Sequence, residues 1–502
     1  MANCAAVASG NWSNAATWSG AVPVDGDSVS IGGVHLVIFN VDQSGFPNGM
    51  NSVVVSGTGR LYFLASMTTH MKIDSGFDLD LSDDCQCHIG TSGSPIVAGH
   101  TATLEFVPDS NGACRIVLAD NAQFSAYGSA TYGRGAAAWE SEIFDDGMGA
   151  AANDDHIHIT ADLDVEPGKD ILILVEQTSG TYTHYDLMQA CAWTDEGGGS
   201  YKIEFDWNEI EAGGGDLDLT YAHAVGAKVY VVSRNVQIFS ETAFGWQFAD
   251  GASTTLTTLS EVYLRDSYYG NTKGHGSSVD HCVIDGFSPG HGPFANTPGN
   301  NGSAYSLTDC LICRASYSTF ASVKGTWRLT DCHIQGCSES IFKNIAGFIS
   351  YAGGRINVNR YIFQNTDDGF IFLDGVELVA ASTFSTGSVR GLRMLHCSFN
   401  DHSLGSGPLE IEANDCALPT TVVLTGTLHD VVSINDGQVD GAAKAWLHGS
   451  VIEKQATTKY SGDWALEITP YSNISDTNPL WVKLADIPCK GQDAITVTAR
   501  CR

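Results

Sequence analysis

The sequence predicts an all-β chain: a right-handed parallel β-helix (a solenoid) followed by a small C-terminal β-sandwich-like module. Three observations predict it. One short phrase returns at 279–284, 307–312, 329–334 and 394–399: an apolar residue, two residues, a cysteine, one residue, an apolar residue. Two looser copies, at 264–269 and 358–363, carry Ser267 and Tyr361 in place of the cysteine. The central positions are 15 to 36 residues apart, with Gly, Ser, Asn and Asp between them. Strands that return at roughly 20–50 residues without amphipathic helices between them indicate one strand per coil. Composition agrees: 55 glycines, 13 prolines and only 16% charged residues, with no long Ala/Leu/Glu/Lys stretch. In such a tube the cysteine and the apolar residue two places on share one face of a strand. Stacked coils then put the cysteines in an interior column, where a thiol behaves as a small hydrophobe.

The chain opens with Gly10, Trp12, Thr17, Trp18 and Gly20, then Val22-Pro23 and Gly26-Asp27, then alternating Val29 and Ile31. Short strands closed by Gly or Ser-Gly turns follow at 53–57, 59–63, 71–73, 88–91 and 103–106. A second block holds His156-Ile-His-Ile159, Glu166-Pro-Gly168 before an apolar run to Val175, Leu219 to His223, and Ser233-Arg234-Asn235-Val236. In this order the motifs resemble the eight-glycine domain of fibrocystin and of the cell-surface hyaluronidases, over Gly10 to about Ile238. The resemblance implies a β-helix, with a viral structural protein as a further relative. In that family Ser-Arg-Asn-Val leads into the β-helix proper. The architecture alone does not imply hyaluronan chemistry, since it also carries adhesins and viral spikes.

The expected organisation follows. Residues 1–127 form the eight-glycine-like N-terminal part. Residues 128–238 continue it with inserted loops, and two glycine triplets around Tyr201 to Trp207 mark a protruding hairpin. Residues 239–405 form the cysteine-ladder coils, 406–445 a cap or linker, and 446–502 the C-terminal module. There, 463–470, 479–484 and 493–500 alternate as half-buried strands do. Three or four strands do not complete a sandwich, so its edge must be paired or covered.

The formal net charge is −32, from 57 acidic and 25 basic residues. That argues against nucleic acid or an anionic membrane as partner, since both need clustered Lys and Arg. No apolar run is long enough to span a bilayer. The first ten residues lack a basic n-region and an apolar core, so no usual secretory signal is expected there. The expected location is a virion or an extracellular surface.

Several residues are candidates for chemistry. A glycan-cleaving β-helix places two carboxylates about 5–9 Å apart on adjacent coils. Asp367 and Asp368, followed by Asp374 and Glu377, are the candidates. Asn365-Thr-Asp-Asp-Gly369 and Gly290-His291-Gly292 stand in the reverse of the polygalacturonase order, and turn composition accounts for them. Asp309 and Asp331 precede their cysteines and should point outward, as should His281 and His396. Trp193, Tyr201 and Trp207 are candidates for stacking on sugars. Asp78, Asp80, Asp83 and Asp84 are the acidic cluster a calcium ion would suit, although no known calcium loop is matched. No other cofactor is expected. Cys310 and Cys313 have CxxC spacing, but no second pair follows, so buried thiols are expected, with a disulfide such as Cys332–Cys337 at a coil edge.

The leading functional expectation is a structural or adhesive protein of a virion or another extracellular assembly, of decoration, fibre or spike type, binding polysaccharide. Its partners would be neighbouring subunits, in a homotrimer or an array. The alternative is a polysaccharide hydrolase or lyase acting from an exposed groove.

Overall fold

A computed structural model describes, with short breaks, residues 2–107, 114–131, 140–144, 154–165, 171–175, 185–208, 219–240 and 246–435, then 443–446, 450–455, 465–470 and 481–484. The chain is an all-β solenoid with three parallel faces. The first face begins with Asn3–Ala5, Ser28–Ile31, Ser52–Val55, Leu79–Leu81, Cys114–Ala119 and Trp246–Gly251. The second runs from Gly10–Asn11 through Gln86–Ile89, Gln123–Tyr127 and Thr326–Thr330 to Ser385–Leu395 and beyond. The third runs from Thr69–Ile73 and Ala102–Phe106 to Ser398–Phe399. Alternation along each strand sends every second residue inward. Ser28–Ile31, Leu36–Phe39 and Ser52–Val55 all bury their second and fourth residues.

The recurring cysteine phrase is a corner between two faces, which corrects the single-strand reading. Leu307 lies in the second-face strand Ala304–Thr308, and Ile312 lies in the third-face strand Leu311–Ala315. Between them Asp309 turns the chain in the left-handed region, at φ +48°. The same place in successive coils holds Glu261, His281, Asp309, Asp331, Gly353, Gly375 and His396, all at positive φ. The first six each donate a backbone N–H to a carbonyl of the next coil, as Asp309 does to Thr330 at 2.9 Å. Asp, Asn, His and Gly tolerate this conformation best, which explains the residue before each cysteine. The residue after the turn points inward: Val262, Cys282, Cys310, Cys332, Val376 and Cys397 are all buried. The thiols donate to corner carbonyls, Cys310 to Thr308 O at 3.2 Å and Cys397 to Leu395 O at 3.2 Å. Burial pushes the Cys282 thiol up to about 12 and Cys310 well above its ordinary value. Cys332 is a free thiol, so the expected bridge to Cys337 is not made. The looser copies at 264–269 and 358–363 mark a different corner, where the third-face strands Val262–Arg265 and Arg355–Val358 end.

The tube is closed at its N-terminal end by Trp12, fully buried and edge-on to both Trp18 (4.9 Å) and Phe39 (5.0 Å). Asp27, from the Gly-Asp step, accepts from the N–H groups of Ala2 (2.6 Å) and Val24 (3.1 Å). Burial works to raise its carboxyl, but the backbone donors prevail and hold it below the usual carboxylate range. A depressed carboxylate stabilises the fold fully above its unfolded pKa and loses that contribution as pH falls through the folded value. We expect Asp27→Asn to remove the acid-labile step of the N-terminal coil, read as tryptophan fluorescence on titration from pH 6 to pH 2, about the carboxylate range. An unchanged titration would show that Asp27 has no such part.

Between Gln123–Tyr127 and Val236–Ser240 the chain leaves the tube. Glu140–Glu142, Lys228–Val231, Ile171–Val175, Tyr185–Gly197, Ser200–Asn208 and His156–Ile159 form an antiparallel sheet in that order. Phe144 N donates to His158 O and Thr160 N to Glu142 O, joining the two outer strands. The six strands thus close into a small barrel with its own core, including Ile157, Leu172, Met188, Ile203 and Val229. The expected hairpin is two strands of this barrel. Tyr230, fully buried, meets His333 of the third face edge-on. Outward residues of that face, Tyr263, Val283, Asp285, Leu311 and Cys313, are buried as well.

At the C-terminal end, Ser450–Gln455 pairs antiparallel with Thr421–Leu424 and Ala465–Pro470, and Ala443–Trp446 pairs with Trp481–Leu484. The strand expected at 493–500 lies outside the described residues. No helix among the described residues is long and apolar enough to cross a membrane.

Candidate functional site

The barrel brings two of the three candidate sugar-stacking residues together. Trp193 lies opposite Ile203, and Asp195 opposite Tyr201, across the hairpin. Trp193 and Tyr201 therefore share a face two residues apart, near the tip. Their rings stack at 5.9 Å with planes 18° apart. Both are half-buried on the barrel core. The tip can turn tightly because Gly197, Gly198 and Gly199 all take positive φ with open space around them. The Trp193 indole N–H is buried without a hydrogen-bond partner. Trp207 sits opposite Gln189 in the same hairpin.

The outer side of these strands is polar. His156 Nδ1 is 2.7 Å from Asp155, His158 Nδ1 3.5 Å from Glu196, and Lys202 Nζ 2.7 Å from Glu204. The imidazoles of His156 and His158 are 5.4 Å apart. The His156 hydrogen bond holds Asp155 below the ordinary carboxylate range, and the bond to Glu204 holds Lys202 above its own. By alternation the aromatic pair shares the inward face with Ile159 and Ile203, and its half-buried rings cap the core at the hairpin end of the barrel, while the polar groups stand on the opposite face. An aromatic surface at a barrel end can stack a sugar ring.

The acidic candidates are placed differently. Asp374 and Glu377 flank the Gly375 corner, and each has its own side-chain partner. His396 Nδ1 is 2.9 Å from Asp374, and Arg355 Nε is 3.5 Å from Glu377. Asp367 and Asp368 lie outside the described residues. Asp309 and Asp331 recur at one corner as expected, and His281 Nε2 stands 3.4 Å from Asp309. Three of the four calcium candidates are engaged by protein groups. Asp78 takes a two-pronged bond from Arg115, Asp83 accepts from Gly57 N at 2.8 Å, and Asp84 accepts from Asn121 at 2.9 Å. Burial, then the neighbouring Asp78 charge, raises the Asp80 carboxyl. Among the described residues no three His, Cys, Asp or Glu side chains are grouped to hold a metal ion.

One cluster escapes sequence reasoning. On the third face Glu105 receives His70 Nε2 at 2.7 Å and Lys72 Nζ at 2.9 Å. Burial works to raise the Glu105 carboxyl, but the bonds from His70 and Lys72 prevail and hold it below its ordinary range. The signal lies in register. Thr69–Ile73 pairs with Ala102–Phe106 residue for residue, so Lys72 faces Glu105. Within one coil neither residue has a visible partner. The chain matches no known protein family, and no curated protein matches it either.

Proposed function

We propose that the chain is a structural or adhesive β-solenoid of a virion or another extracellular assembly, and that its inserted barrel contacts glycan. The observation that carries the reading is the Trp193–Tyr201 stack, half-exposed at the tip of a barrel held on a rigid tube. Two rings already ordered by the barrel core lose little side-chain entropy on binding, which favours weak, repeatable contact with a polymer. The candidate acids Asp374 and Glu377 are each engaged by a neighbouring side chain, His396 and Arg355.

The test is a glycan array with the full chain, with the same glycans assayed for shortening. Trp193→Ala is expected to weaken retention about tenfold while the barrel stays folded, from the loss of one stacking contact. Retention unchanged in Trp193→Ala would overturn the barrel as the contact. Shortening of a polysaccharide that disappears in Asp367→Asn would replace the adhesive reading by a glycan-cleaving one.

A further inference from the structure

The second face is the long side of the tube that the barrel leaves uncovered. Between Gly10–Asn11 and Ser385–Leu395 it stacks twelve strands, or eleven coil steps. At roughly 4.8 Å per step and five residues of width, it measures roughly 53 Å by 17 Å, or roughly 900 Å². Its outward side chains change along its length. The first coils show Ile38, Arg60 and Tyr62. The middle carries Thr258, Ser260, Ser278, Ser306 and Thr308, with Asp280 at the strand edge 2.9 Å from His281 Nδ1. The last coils show Phe348 and Phe370, stacked 5.6 Å apart and 2° from parallel, then Phe372, with the Arg393 guanidinium 5.5 Å from the Phe370 ring.

Charge changes in the same direction. Residues 1–127 hold three basic and eleven acidic residues, whereas residues 324–393 hold seven basic and six acidic. Exposed Asp83, Asp84 and Asp120 line the first–second corner of the early coils. Exposed Lys324 lies beside that same corner in the late coils, next to the Ser322 turn.

We propose that the second face is the interface of an antiparallel dimer with a second copy of this chain. A two-fold axis lying in the face, parallel to the strands at its middle, keeps each edge on its own edge and reverses the coil order. That places Asp120 of each chain over Lys324 of the other, and Arg60 and Tyr62 over the Phe370 and Phe372 end. Each contact occurs twice by symmetry. The available area matches the roughly 800 Å² per partner of a stable interface. A two-fold axis along the tube would instead swap the edges, so Asp120 and Lys324 would not meet. The contact does not depend on what the barrel binds.

Sedimentation equilibrium of the full chain tests this, at 50 and 500 mM salt. The expected result is twice the 53.3 kDa chain mass, weakening as salt rises. Asp120→Lys alone and Lys324→Asp alone should each weaken the dimer about a hundredfold, because each places two like-charge pairs in the interface. The double variant should restore it. A single-chain mass at all concentrations, a trimer, or a dimer indifferent to both reversals would overturn the proposal. Unchanged circular dichroism of each variant separates loss of contact from loss of fold. Glycan retention by the monomeric variants tests the barrel separately.

Discussion

Gly354→Ala is expected to destabilise the folded chain by about 3–5 kcal/mol, near the upper end for single substitutions. Gly354 has φ +73°, and a Cβ there would lie 2.0 Å from the carbonyl oxygen of Cys332 and 2.8 Å from its nitrogen. That carbonyl cannot retreat. It accepts from Arg355 N at 3.0 Å and from the buried Tyr351 hydroxyl at 2.5 Å. The left-handed conformation alone costs an alanine about 1–2 kcal/mol, and displacement of a ladder carbonyl supplies the rest. Gly375→Ala is the internal control. It sits one coil on at the preceding corner position, with φ +65° and nothing within 4 Å of the added Cβ. Its cost should be the conformational term alone, about 1–2 kcal/mol. Denaturant midpoints of the two variants decide the matter. Equal shifts would mean that the close approach at Cys332 is relieved at no cost.

The contrast shows what the sequence carries. The cysteine phrase was legible as a repeat because an interior corner admits only a small apolar or thiol side chain. Its role as a corner was not legible, because the turning residues (His281, Asp309, Asp331, His396) are ordinary surface types when read one at a time. Their shared positive φ appears only in the folded backbone. The strands at 156–159 and 228–231 alternate as solenoid strands do, and 171–175 is one apolar run like a strand buried on both faces. Nothing in alternation tells a parallel coil from an antiparallel barrel, so pairing had to come from the structure. Trp193 and Tyr201 were legible as separate aromatic candidates beside a glycine triplet, but their stacking was not, because the turn at Gly197–Gly199 that brings them together appears only in the strand pairing. Glu105 with His70 and Lys72 was not, because parallel register joins residues more than thirty positions apart.

Asn235→Asp is expected to detach the barrel from the tube while leaving the barrel folded, at a cost of about 3–5 kcal/mol for an unpaired buried charge. Asn235 is fully buried where the chain returns from the barrel. Its side-chain N–H groups donate to the carbonyls of Ile96 (2.9 Å), His100 (3.1 Å) and Val97 (3.2 Å). Its oxygen accepts from Ser129 N at 2.8 Å, where the chain departs. One amide thus ties departure, return and a neighbouring loop together. Gly128 is required beside it, since a Cβ there would lie 2.1 Å from Glu261 O and 2.8 Å from the Asn235 oxygen. Aspartate has the same shape but no N–H, so it would set a carboxylate against three carbonyls in a dry site. Neighbouring Arg234 is engaged with Glu261 at 3.2 Å and with His281 O. Hydrogen exchange reads the outcome. Amides of Ala102–Phe106 and of the neck at 128–131 should lose protection, while those of Tyr185–Gly197 keep it. Uniform loss across tube and barrel would mean that the two fold as one unit. Unchanged protection at the neck would mean that Asn235 is not what holds it.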